Sequence, residues 1–108
     1  MPLCHLVTFT FKPGTPAAAI AELASALDEL AARGPALAYH HGGDLKIREG
    51  NADYAVTAVF KDPDALQAYL SSPEHLHIVN DLLTPHLQSR SAVQFDVRSF
   101  GGPPSPTG

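Results

Sequence analysis

Leu3 to Phe11 alternates with period two. Leu3, His5, Val7, Phe9 and Phe11 fall on one face, with Cys4, Leu6, Thr8 and Thr10 on the other. That spacing predicts a β-strand. Lys12-Pro13-Gly14 turns the chain, Thr15 is placed to cap, and Pro16 suits the first position of a helix. Ile20, Leu23, Ala24, Leu27 and Leu30 form one helical stripe, closed by Gly34-Pro35. Ala36 to Ile47 reads as a second strand, weakened or bulged at Gly42-Gly43. After the turn at Glu49-Gly50-Asn51, Asp53 to Phe60 is a third strand. It sets Tyr54, Val56, Ala58 and Phe60 against Ala55, Thr57 and Val59. Asp62-Pro63 pairs a cap residue with a first-turn proline and opens a short helix through Leu66 and Leu70. Ser71-Ser72-Pro73 interrupts it, because proline has no amide to give the ladder. A second helical piece carries His75, Leu76, Val79, Leu82 and Leu83, and Val93, Phe95 and Val97 mark a fourth strand.

The order βαββαβ predicts a ferredoxin-like α+β sandwich. Its helices cover only one face of a four-stranded sheet. Leu6, Thr8, Thr10, Ala55, Thr57 and Val59 on the other face are too apolar and small for an ordinary solvated surface. A second copy of the same sheet would cover them, so a homodimer is expected. Residues 1–100 read as one domain. Residues 101–108, rich in Pro, Gly and Ser without an apolar anchor, read as a disordered tail.

Bulk properties narrow the function classes. A chain of 108 residues is near the commonest domain size. One cysteine, Cys4, excludes an intrachain disulfide and any paired-cysteine zinc motif. A net charge of −4, with seven scattered Lys and Arg, argues against a nucleic-acid surface. No apolar run approaches the roughly 20 residues of a membrane span. Met1-Pro2-Leu3 begins no signal peptide, so a cytoplasmic location is expected.

The chemistry concentrates at the helix break, where a turn can bring Tyr69 and His75 together. A phenol that grips a carbonyl beside an imidazole titrating near neutral pH can abstract a proton next to that carbonyl. On residues alone, Tyr69 reads first as a packed ring and His75 as a partly exposed residue near a helix start. His5, alone on an apolar strand face, reads first as a core histidine. His40-His41 point to opposite sides of a strand, and His75 and His77 do not share a helical face. Neither pair chelates simply, and no metal or cofactor is expected. Pro2 as an N-terminal base is disfavoured, Cys4 reads as a small apolar residue at the dimer face, and His86 as a loop residue.

Three stretches carry a family resemblance: His5-Leu6-Val7 with Phe11-Lys12-Pro13-Gly14, then Ala68-Tyr69-Leu70-Ser71-Ser72-Pro73-Glu74-His75, then Val93-Gln94-Phe95-Asp96. Together they resemble the stress-responsive dimeric α/β-barrel (Dabb) domain family over about residues 3 to 97. The resemblance implies a homodimer whose two sheets close into a barrel. Within the family it is nearest in kind to olivetolic acid cyclase-like polyketide cyclases, which close linear chains by intramolecular aldol reaction without metal or organic cofactor. By that resemblance Tyr69 and His75 act together, which of them is the base staying open, and His5 lies in the pocket. Tyr54 stands where that branch has a further pocket histidine. Val7, Phe9, Leu23, Leu27, Val56, Ala58 and Leu83 would supply an apolar wall excluding water. The implied ligand is a small, apolar, carbonyl-rich molecule. Two rival readings are a non-enzymatic, stress-associated barrel and a cofactor-free oxygenase of electron-rich aromatics.

Overall fold

The computed structural model describes residues 1–98. Strand β1 (Leu3–Phe11) is followed by helix α1 (Ala17–Arg33), β2 (Ala38–Gly43) and β3 (Tyr54–Phe60). Then come α2 (Pro63–Ser71), α3 (Pro73–His77), a π-helical stretch (Ile78–Leu83), a 3-10 turn (Thr84–His86) and β4 (Leu87–Asp96). The sheet is antiparallel in the order β2-β3-β1-β4. This is the ferredoxin-like α+β fold that the element order predicts.

The alternation in β1 and β3 places the core. Val7 pairs with Val56, His5 with Ala58 and Phe9 with Tyr54, all on the helix-facing side. Ala58 and Phe60 are completely buried there, and Leu23, Leu27 and Leu30 of α1 close over them. Burying such a side chain contributes roughly 1.5–3 kcal/mol, so this seam dominates the stability of the fold. Asp62 caps α2 as expected, its carboxylate accepting the Ala65 amide at 2.8 Å.

Four local expectations are corrected. Thr15 does not cap α1: its hydroxyl donates to the Lys12 carbonyl at 2.6 Å, and extended Pro16 is the N-cap residue. Strand β2 stops at Gly43 instead of running to Ile47, in unbroken register with β3. Asp44 ends it, its carboxylate accepting from the Lys46 amide and the Asn51 side chain, a local bond that competes with the ladder. Lys46 takes a left-handed φ of 60°, and Leu45 and Ile47 project into solvent. A register irregularity lies between Thr10 and Phe11, where β1 meets β4. Strand β4 begins at Leu87 and ends before Val97, whose amide reaches the Pro2 carbonyl. The expected tail, 101–108, falls outside the described residues.

On the face away from the helices, Val93 pairs with Leu6 and Phe95 with Cys4. Val93 and Phe95 are each about half exposed, beside partly exposed Leu6, Thr8, Thr10, Ala55, Thr57 and Val59.

Candidate functional site

The break between α2 and α3 holds Tyr69 and His75 together through Ser72. The Ser72 hydroxyl donates to the Tyr69 carbonyl at 2.9 Å and accepts the His75 amide at 3.2 Å. One residue thus closes α2, its amide and its hydroxyl both donating to the Tyr69 carbonyl, and satisfies an orphan amide at the start of α3. His75 Nδ1 donates to the Leu70 carbonyl at 3.1 Å, which turns the ring back over the break. The two rings lie 4.7 Å apart between centroids, tilted by 53°.

A carbonyl oxygen only accepts, so Nδ1 carries the proton of neutral His75 and Nε2 is left as a free base. Burial pushes its pKa below the ordinary 6.5, the Leu70 bond opposes this, and the Arg90 charge adds to it. His5, 5% exposed, accepts from the Gln94 amide through Nδ1 at 2.8 Å, so its Nε2 carries the proton and is a free donor. Burial foremost, then His75 and Arg90, lower the His5 pKa too. No fully buried side-chain nitrogen or oxygen lacks a partner among the described residues. The two unbonded Nε2 atoms therefore reach accessible space.

That space is a cavity of about 130 Å³ between β1, β4, α1 and the π-helical stretch. It is lined by His5, Val7, Phe9, Leu23, Leu27, Val56, Tyr69, Leu70, His75, Leu76, Ile78, Val79, Leu83 and Arg90. A π-helix is wider than an α-helix and recurs at functional sites. Here it carries Ile78, Val79 and Leu83 onto the cavity wall.

Two residues expected at the pocket lie elsewhere. Ala58 is fully buried beneath the helices and does not line the cavity. Tyr54 is on the helix-facing side but near the β2 edge, where its hydroxyl donates to His41 Nδ1 at 2.7 Å. His41 Nε2 donates in turn to Asp28 of α1 at 2.6 Å. Strand periodicity assigns a face but not a position across the sheet, and the strand order puts β2 two strands from the cavity floor at β1.

The Tyr69 hydroxyl does not bond His75. It shares a hydrogen bond of 2.8 Å with the Tyr39 hydroxyl on β2. Burial raises the Tyr69 pKa, and the bond from Tyr39 partly offsets this. With Tyr39 as donor, Tyr69 keeps its own proton to give. Tyr39, Gln94 and Arg90 were not anticipated. Extending the alternation of Val93 and Phe95 backward would have put Gln94, Ala92 and Arg90 on the inner face.

The chain belongs to the stress-responsive A/B barrel domain (Dabb) family, whose model matches residues 3–97. Solved structures agree. A dimeric ferredoxin-like protein of unknown function from Thermobifida fusca YX is 30% identical, covering 90% of this chain and 92% of its own, with a TM-score of 0.84. A second, from Jannaschia sp. CCS1, also described as dimeric and of unknown function, is 24% identical over 90% and 100%, with a TM-score of 0.77. The hydroxynitrile lyase of Passiflora edulis shares the fold at 16% identity over 93% and 97%, with a TM-score of 0.77. No curated protein sequence matches the chain. Among the described residues, no helix is long and apolar enough to cross a membrane, and no three metal-binding side chains gather.

Proposed function

We propose that the cavity is a small-molecule active site for cofactor-free carbon–carbon chemistry at a carbonyl, with His75 as base and Tyr69 as oxygen-binding donor. The observation that carries this is the commitment of His75 Nδ1 to the Leu70 carbonyl, which leaves a basic Nε2 in a cavity whose walls are mostly apolar. His75 Nε2 takes a proton from a carbon beside a carbonyl. The electron pair moves onto the oxygen, which Tyr69 hydrogen-bonds as an enolate. The enolate carbon attacks a second carbonyl carbon, and the resulting alkoxide recovers the proton from the His75 imidazolium. Closure of a polyketide-like chain is the intramolecular form of this reaction.

Size limits the substrate. About 130 Å³ is below the 300–1,000 Å³ of ordinary ligand sites and close to the ~150 Å³ that holds a benzene. The reacting end, not a long chain, would sit inside. The same volume supports a second reading, cleavage of a hydroxynitrile to a carbonyl compound and hydrogen cyanide, in keeping with the fold shared with the Passiflora enzyme. His75 would take the hydroxyl proton, the carbon–carbon bond would break, and cyanide would leave with its electron pair. An open cavity beside Tyr69 weighs against a purely structural barrel, which a filled core would have favoured.

The working unit we infer is a homodimer joined through the outer sheet face. The half-exposed Val93 and Phe95 and the dimeric relatives support it. Light scattering should read twice the chain mass, and Phe95→Asp should halve it; a wild-type monomer at micromolar concentration would refute the dimer.

The test of the chemistry is proton exchange in D2O. Small ketones such as acetophenone are incubated with the protein, and deuterium entry beside the carbonyl is followed by NMR, with mandelonitrile cleavage assayed in parallel. Exchange or cleavage that disappears in His75→Ala is expected. Neither activity above the buffer rate, across ketones of this size, would overturn the enzyme reading.

A further inference from the structure

The helix layer does not extend over β4. From Gln88 to Asp96 every residue of that edge strand is exposed, on both faces. The helix-facing side chains of β4 are therefore uncovered. By register they are Arg90 opposite Phe9, Ala92 opposite Val7, and Gln94 opposite His5. Gln94 is spent on His5. Arg90 lines the cavity and is the one formally charged residue among those that do. Among the described residues, no carboxylate lies within ion-pair distance of its guanidinium.

We propose that Arg90 is a specificity residue that selects a carboxylate-bearing ligand, its apolar body filling the cavity and its carboxylate held at the β4 rim. The inference deepens the carbonyl-site reading and rests on it. Guanidinium presents a planar fork of donors that matches a carboxylate bidentately, and charge-assisted bonds are about twice as strong as neutral ones. Among the described residues no acidic side chain lines the cavity to repel such an anion, and burial and the same cation both disfavour the charged form of the two histidines. His5 Nε2–H adds a second donor. The class of ligand is a small aromatic or branched-chain carboxylate, 2-oxo acids among them. In a 2-oxo acid the carboxylate adjoins the carbonyl whose neighbouring carbon His75 would deprotonate.

The test compares phenylacetate with its neutral isostere phenylacetamide. Binding to the wild-type protein and to Arg90→Gln and Arg90→Lys is read by calorimetry and by NMR shifts of the His75 and Tyr69 signals. Circular dichroism checks that each variant is folded. Phenylacetate is expected to bind the wild type at least about tenfold tighter than the amide. Arg90→Gln should erase that preference, and Arg90→Lys should restore part of it. Equal binding of acid and amide to the wild type, with shifts at His75 and Tyr69, would overturn the carboxylate inference and leave the carbonyl site standing. A preference that survives Arg90→Gln would also overturn it. Binding of neither, with no shift at either ring, would remove both readings.

Discussion

Two tyrosine–histidine arrangements stand on the same side of one sheet, and their hydrogen-bonding capacity is spent differently. At the β2 edge His41 uses both ring nitrogens, taking the Tyr54 proton on one and giving the other to Asp28. At the β4 side His75 and His5 each use one nitrogen, on a backbone carbonyl and on an amide, and keep the other open. His41 with Tyr54 is a strut: it ties α1, β2 and β3 together and has nothing left to offer a ligand. The cavity pair has less internal bonding and more chemistry. Residue type alone does not separate the two; the partner on each nitrogen does.

Exchanging histidine for alanine at each place should split stability from activity. His75→Ala is expected to cut carbonyl proton exchange at least about 100-fold, the usual worth of a general base, and to cost no more than about 1 kcal/mol in urea unfolding. His41→Ala should do the reverse. It strands the Tyr54 hydroxyl, costing about 1–3 kcal/mol by the same unfolding measurement, with exchange kept within about threefold. If both substitutions damaged activity equally, the contrast between strut and site would be lost.

Next in size is the response to pH. His75 faces His5, Tyr69 and Arg90, and burial, aided by Arg90, holds both imidazoles below 6.5. Between the folded values and 6.5 the unfolded chain binds more protons, so stability rises with pH there. The contribution of these neutral rings is complete above about 6.5 and is lost progressively as pH falls below it. The acid limb of proton exchange should have its midpoint below 6.5 and move up toward that value in Arg90→Gln. A limb above 6.5 in the wild type would contradict the neutral-base assignment.

Tyr39→Phe leaves Tyr69 with its hydroxyl but without its neighbour. We expect about 1 kcal/mol of destabilisation in urea and a several-fold loss of exchange, with the midpoint of the acid limb unmoved. Smallest of all should be Asp28→Asn. Asp28 is 73% exposed, and its link to His41 is worth less than about 1 kcal/mol by thermal unfolding.

The parts of the fold legible in the sequence are those where one face is buried and the other is not. β1 and β3 alternate in burial as in hydropathy, and the Asp62-Pro63 cap is placed where composition puts it. The first half of β4 was not legible, because Gln88 to Ala92 are polar or small and lack the apolar alternation that Val93 and Phe95 supply. Leu45 and Ile47 misled in the opposite way, continuing an alternation that the Asp44 turn cuts off. The meeting of Tyr69 with His75 followed from the local break, since only a few residues separate them. Tyr39 is brought in by strand order across a long sequence separation, and no local signal carries that. For Gln94 and Arg90 the alternation of Val93 and Phe95 gives the face, but only the long-range register gives the partners.

The Gln94–His5 bond spans 89 residues and joins the first strand to the last. Strand β1 lies between β3 and β4, so during synthesis the earliest strand waits for the two latest to flank it. Until Leu87–Asp96 leaves the ribosome, β1 presents an unpaired edge rich in Leu, Val and Phe, a template for pairing with other nascent copies. The tautomer of His5, and with it the donor it offers the cavity, is set only by that final pairing.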